Sequence, residues 1–505
     1  MNVADANLSR DLGVYSQMKK SFALLLIVSL LGIGGAFAQM EKTPTPTIKP
    51  HSDYQKWWSD TANPDYQHAS QASVEAWKDQ KFGMRIHWGP YSVLGLDASW
   101  PLQGSSKEFQ KIYFTTYQEF NPTNFNADQW AELAQRAGMR YFVFTTRHHD
   151  GFSMYDTKTK VASIRRVPSK SSQGGIGATE NVNIHYSMMD TLYPHDIVAE
   201  LATAFRKRGL GVGLYYSWPD WHDPNFRWDT HNMFYDPNYS KQSNPEQWQQ
   251  FIDRVREQIQ ELCSNYGNLF EISFDANLPK DAWPDTVEIL KMARKLQPSV
   301  MFRERGIGPY GDFTTPEHWI PNDPLKEPLG IPWEAIEQLG TQWAYTPNDD
   351  YKSKEWLLGT LIDVVAKGGN FMPGVSPMAN GEFPKQTIDR LEYVGAWLRV
   401  NGEAIYGTRP WNIFKEGDDV RFTRSKDGKF VYAIALQWPG NRLVLRSVRA
   451  VDGSSLRMLG VKTNLKWHQN QEGLAIEVPE EVENHRPCTQ AYVFKIRAKA
   501  FQLSY

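Results

Sequence analysis

The segment 141–146 (YFVFTT) is almost wholly apolar and gives way at once to Arg147-His148-His149-Asp150. A short apolar run bounded by polar residues is the pattern of a buried strand. Comparable runs recur at 82–88, 210–217, 269–274 and 299–303. Between them the apolar positions change to helical spacing. Residues 127–138 place Trp130, Leu133, Ala134 and Ala137 on one face, and 195–209 do the same with Ile197, Leu201, Ala204 and Phe205 before Gly209. Further helices are predicted over 245–266, 285–297, 356–367 and 387–400. Strand–helix alternation sustained over roughly 250 residues predicts a TIM-like (β/α)8 barrel. An open doubly wound sheet is the alternative, but no G-x-G-x-x-G or Walker loop opens any of these helices.

Past Trp411 the spacing changes again. Short strand-like runs at 420–422, 430–436, 443–448, 474–478 and 491–496 are separated by turns rich in Gly and Pro. About 95 residues of this kind predict a C-terminal β-sandwich. At the other end, Met18-Lys19-Lys20 precedes an apolar run from Phe22 to Ile33 and then Ala36-Phe37-Ala38. That is a signal peptide with cleavage after Ala38, too short to stay as a membrane span, with Met18 as the true start. The expected organisation is therefore upstream residues and signal peptide over 1–38, a polar leader over 39–74, the barrel over 75–410 and the sandwich over 411–505. The destination is the periplasm or the exterior, with no membrane insertion once the signal is removed. The segment 168–190 is polar, rich in Gly and long enough to be read as a functional loop.

Composition narrows the partners. The 55 basic and 57 acidic side chains nearly cancel, so nothing points to nucleic acid. The 19 Trp, 23 Tyr and 25 Phe suit sugar binding, because an aromatic face stacks on C–H groups while polar edges bond hydroxyls. Two cysteines, Cys263 and Cys488, make no disulfide framework and lack metal-ligand spacing.

Chemistry collects just after the predicted strands: His87, Trp88, His148, His149, Tyr215, Asp275 and Arg305. In a barrel such positions converge on one rim. Asp275 stands at the end of an apolar strand, where a carboxylate is costly unless bonded or used. Glu317, in Gly311-Asp312-Phe313-Thr314-Thr315-Pro316-Glu317, is the best partner for a two-carboxylate glycoside chemistry, with Glu334 and Glu304 next in line. A metal hydrolase using the histidines lacks H-x-H or H-E-x-x-H spacing, so no metal and no cofactor is expected.

The motifs together resemble one family. Phe82-Gly83-Met84-Arg85-Ile86-His87-Trp88, Arg147-His148-His149-Asp150-Gly151-Phe152, Leu214-Tyr215-Tyr216-Ser217, Pro332-Trp333-Glu334 and Gln342-Trp343-Ala344-Tyr345 are similar to motifs of the α-L-fucosidases of glycoside hydrolase family 29. The resemblance implies an exo-acting, retaining enzyme that removes fucosyl residues from oligosaccharides or glycoconjugates. Asp275 is then the nucleophile and Glu317 the acid/base. His87, Trp100, His148, His149, Tyr215, Arg305 and Trp343 are the substrate-binding residues. Glu317 is expected to be raised by the charge of Asp275, and an arginine is expected to keep Asp275 ionised. The chain departs from the family at Ala98-Ser99-Trp100, where Ser99 replaces a glutamate, and at Asp275-Ala276, where Gly often follows. These departures leave an α-L-galactosidase or a silent sugar-binding homologue as alternatives.

Overall fold

In the computed structural model, which describes residues 62–167, 178–322 and 332–498, seven parallel strands lie in one sheet. They are β1 (Gly83–Ile86), β2 (Tyr141–Arg147), β5 (Gly211–Ser217), β6 (Glu271–Asp275), β7 (Met301–Phe302), β8 (Glu334–Gln338) and β9 (Asn370–Val375), in the order β7-β6-β5-β2-β1-β9-β8. The edges do not stay open. Residues 313–317 run between β7 and β8, bridging Arg303 to Phe313, Thr314 to Trp333 and Glu317 to Ile336 in parallel sense. The Asp312 amide donates to the Phe302 carbonyl at 2.7 Å, and the Ile336 amide donates to the Pro316 carbonyl at 3.1 Å. This segment supplies the eighth stave of the predicted barrel, although none of the strand-like runs in the sequence covers it.

Alternation along each strand divides the barrel interior from its outer layer. On β2, Tyr141 and Val143 pack with Tyr215, Ile336 and Met372. Phe142 and Phe144 join the larger core beneath the helices, where Phe142 lies 4.0 Å from Phe205 between ring centroids. The helices over Ala127–Arg136, Ile197–Lys207, Pro245–Asn265, Trp283–Leu296, Lys354–Ala366 and Lys385–Asn401 follow the predicted ones closely. Trp88 belongs to this outer layer. It packs on Phe120, Phe125 and Trp130 and donates to the Met378 carbonyl, so it is not part of the site cluster in which the sequence places it.

Residues 62–80 lead directly into the barrel. The helix Gln71–Gln80, capped by Ser70, carries Trp77 under the barrel floor, where its indole donates to the buried Glu271 at 3.1 Å. Upstream, the Tyr66 hydroxyl donates to the Tyr310 carbonyl. The predicted signal peptide and most of the leader lie outside the described residues. Part of the 168–190 segment is strand: β4 (Thr179–Ile184) pairs antiparallel with β3 (Val161–Arg166), and residues 168–177 lie outside the described residues.

The C-terminal unit has eight strands: β10 (Thr408–Glu416), β11 (Val420–Ser425), β12 (Phe430–Ala435), β13 (Arg442–Leu445), β14 (Leu456–Met458), β15 (Trp467–Asn470), β16 (Gly473–Glu477) and β17 (Tyr492–Arg497). They form sheets ordered β10-β11-β12-β17-β14 and β13-β16-β15, with Phe422, Leu445, Ile476 and Phe494 in a shared core. Cys263 and Cys488 are both free thiols. No helix among the described residues is long and apolar enough to cross a membrane.

Candidate active site

The staves deliver their polar residues to the carboxyl-terminal mouth. Asp275 ends β6, His87 follows β1, and Arg303 follows β7. The register slips between Thr145 and Arg147 just before β2 ends. Arg147 turns outward, over the Tyr216 ring at 4.2 Å and into a buried ion pair with Asp220. Past that slip the strict alternation is lost, and His148 and His149 are both buried with their rings 4.4 Å apart. Gly151 makes the turn possible. Its φ is +75°, and a Cβ there would lie 2.2 Å from the Asp220 carboxylate. Asp150 serves the same turn, accepting from the Tyr113 hydroxyl at 2.8 Å and from the Phe152 amide.

Two arginines tie the two candidate carboxylates together. Arg305 donates through Nη1 to Asp275 Oδ1 at 3.2 Å, and its Nη2 lies 2.7 Å from Glu317 Oε2. Arg303, wholly buried, donates through Nη2 to Glu317 Oε1 at 2.6 Å and through Nε to Thr315 Oγ1 at 2.6 Å, with Nη1 3.9 Å from Asp275. The Tyr215 hydroxyl donates to the other oxygen of Asp275 at 2.8 Å. Burial alone would raise Asp275, but Arg303 and Arg305 outweigh it and hold the carboxyl well below its usual range. The structure therefore agrees with an ionised Asp275.

Glu317 differs from its expectation. Burial and the Asp275 charge push it up, yet the two guanidinium groups prevail and its pKa is lowered. The sequence pointed to Asp275 and Arg305 but missed Arg303, whose charge decides the sign. A signal was present: Arg303 is two positions after Met301, in phase with the barrel's inner face.

Around the carboxylates stands a ring of aromatic and imidazole groups. His87 lies 5.2 Å from Trp343, 5.8 Å from His148 and 5.9 Å from Tyr215, while Trp100 lies 5.1 Å from His149. Trp88 apart, the residues singled out in the sequence thus lie near one another at the mouth of the barrel. Burial drives the three histidines down, with nearby charges as smaller influences: His87 and His148 fall well below their usual value and His149 to about 4. They are neutral near pH 7, each with one donor and one acceptor nitrogen. Neither ring nitrogen of His149, nor Nδ1 of His87, finds a partner within the protein. Ser99, where a glutamate was expected to reach the sugar, is instead fully buried and bonds His148 Nδ1 at 2.6 Å. Among the described residues no group of three or more His, Cys, Asp and Glu is arranged to hold a metal ion.

Two family models match the chain. One, described as alpha-L-fucosidase, covers residues 51–174 and 177–403, and the other, its C-terminal domain, covers 415–497. The chain belongs to the α-L-fucosidase family. It is similar to human plasma alpha-L-fucosidase, with 28% identity across 84% of this chain and 90% of that one. Similarity to human tissue alpha-L-fucosidase is 27% across 86% and 91%. Among solved structures, alpha-L-fucosidase isoenzyme 1 from Paenibacillus thiaminolyticus superposes with a TM-score of 0.68 at 28% identity, over 85% of this chain and 99% of that one. A Bacteroides thetaiotaomicron α-L-fucosidase of glycoside hydrolase family 29 was trapped as a covalent intermediate with 2-fluoro-fucosyl fluoride. It shares the fold, with a TM-score of 0.70 at 20% identity over 87% of this chain and 99% of that one.

In the present chain both candidate carboxylates are followed by strained backbone. Ala276 has φ +55° and His318 +61°, the left-handed region that disfavours a Cβ. At position 276 the family often has Gly. Ala276→Gly should relieve strain that exceeds the entropy gained by the unfolded chain, raising unfolding stability by roughly 0.5–1 kcal/mol. Denaturant titration measures this, and an unchanged or lower midpoint would contradict it.

Proposed function

We propose that the chain is an exo-acting, retaining α-L-fucosidase that uses Asp275 as nucleophile and Glu317 as acid/base. The observation that carries this reading is the Asp275–Arg305–Glu317 bridge. One guanidinium reaches both carboxylates, which favours the short separation of a direct displacement over the wider gap that holds a water. Asp275, ionised and held on both oxygens by Tyr215 and Arg305, is positioned to attack the anomeric carbon, with its C–O bond forming as the glycosidic C–O bond breaks. The neutral histidines accept from and donate to the sugar hydroxyls, and Trp343 packs against the ring.

Glu317 works in two protonation states under this reading. Its lowered pKa suits the second step, when it takes a proton from the water that cleaves the ester. In the first step it has to deliver a proton to the leaving oxygen. Arg305, the more exposed of the two arginines, must then release Oε2 as the glycosidic oxygen arrives. Export through the signal peptide expected at residues 18–38 belongs to the same proposal.

The test is stereochemical. Proton NMR of an aryl α-L-fucoside digest should show α-L-fucose first, with the β-anomer growing only by mutarotation. Initial release of the β-anomer would exclude the covalent route.

A further inference from the structure

Eight large hydrophobic side chains stand exposed among the described residues, and four of them are aromatic: Trp100, Trp228, Phe234 and Tyr235, at 37–44%. All four lie on just two loops, those leaving the carboxyl ends of β1 and β5. Scattered exposed apolar groups need no explanation, but clustered aromatic rings beside a pocket do.

The two loops are joined. The Trp100 ring lies 5.9 Å from Trp221, and the Lys107 ammonium donates to the Met233 carbonyl. The Met233 amide in turn donates to the Trp221 carbonyl at 3.3 Å. Trp221 is itself clamped between His149 at 4.8 Å and His231 at 4.5 Å, and its indole donates to Asp229, which also bonds His231. The buried Asn232 amide group donates to the Asp220 and Asp223 carbonyls, both at 3.0 Å, and its oxygen accepts from the Phe234 amide at 2.7 Å. The exposed rings therefore sit on backbone fixed from beneath. Trp100 is the member of the group that reaches the candidate site, with its ring against His148 and His149.

We propose that Trp100, Trp228, Phe234 and Tyr235 form a platform for the pyranose rings of the leaving group, to which the fucosyl residue is linked. Exposed aromatic faces stack on the C–H faces of a sugar, and the Tyr235 hydroxyl, Asp229 and His231 at the margin offer bonds to its hydroxyls. A platform fixed in advance loses little entropy on binding. This inference rests on the fucosidase reading above.

The experiment compares α-L-fucosyl fluoride, which carries no leaving sugar, with the trisaccharide 2′-fucosyllactose. Trp228→Ala, Phe234→Ala and Tyr235→Ala are made singly and together, leaving Trp100 in place. The triple variant should keep kcat/KM for the fluoride within about twofold of the parent and lose about tenfold or more on the trisaccharide, mainly through KM. Equal losses on both substrates, or none on the trisaccharide, would overturn the platform. A changed sedimentation coefficient with unchanged trisaccharide kinetics would reassign the patch to a protein contact. If the unmutated chain hydrolyses neither compound, the fucosidase reading fails, whatever the variants show.

Discussion

Asp275→Gly is expected to lower turnover of an aryl α-L-fucoside on the order of 10⁴-fold, equivalent to about 5.5 kcal/mol in the barrier. The loss is large because no other described carboxylate occupies its position. Glu317 is held by Arg303 and Arg305, and Tyr215 remains a neutral phenol, raised by burial and by the Asp275 charge. Removing the carboxylate also leaves Arg305 facing an emptied site, which an anion of similar size can enter. Azide at high concentration should therefore restore part of the rate and yield β-L-fucosyl azide, because it attacks from the face Asp275 used. Asp275→Asn, nearly the same shape, serves as a check on folding and should be as inactive without rescue. Near-parental turnover in either variant, or an azide product of α configuration from the glycine variant, would remove Asp275 from the nucleophile's role.

How far the sequence shows this site follows from how strands and charges signal themselves. Apolar β2, β5 and β6 were plain, because their outward positions pack under helices and their inward positions are mixed. β8 is different. Its residues Glu334 to Gln338 read as polar, yet all five are buried. Glu334 accepts from the Tyr141 hydroxyl in the barrel, a hydrogen bond between staves that no local spacing reveals. The same holds for 313–317, a stave whose only partners come from elsewhere in the chain. In the C-terminal unit, the short strands β14 and β15 and the long edge strand β10 carry too few inward apolar residues to stand out. The His148-His149 pair was conspicuous, but the reason both rings can face one pocket, a slipped register and an outward Arg147, lies in tertiary structure. Arg303 shows the limit most directly. Its position was readable, but its effect depends on reaching Glu317 and Asp275 at once, and that decides whether Glu317 rests charged or neutral.

Glu317→Ala is expected to separate substrates by their leaving groups. On 2′-fucosyllactose, whose departing alkoxide needs a proton, kcat/KM should fall on the order of 10³-fold, within the usual range for a lost general acid. On an aryl fucoside with an acidic phenol the first step should fall by only about tenfold, since that group leaves unaided. The second step still lacks its base, so the glycosyl-enzyme should accumulate and appear as a burst of phenol. Azide should then react with that intermediate and give α-L-fucosyl azide, the configuration opposite to the one expected from Asp275→Gly. The pH profile supplies a further sign. Arg303 and Arg305 hold the Glu317 carboxyl below its ordinary value. The limb it contributes in the parent should disappear in the variant, leaving the limb that reports Asp275 in place. Equal losses on both substrates would move the acid/base elsewhere, and geometry narrows where. Glu334 opens β8 at the amino-terminal end of the barrel, bonded to Tyr141, the first residue of β2, and burial raises it well above its usual range. It lies at the wrong end. Glu304 is next to both arginines, accepts from the Thr314 hydroxyl at 2.6 Å and is raised by burial, so it holds a proton more readily than Glu317 does. A Glu304→Gln variant that reproduced the leaving-group split would transfer the role to it.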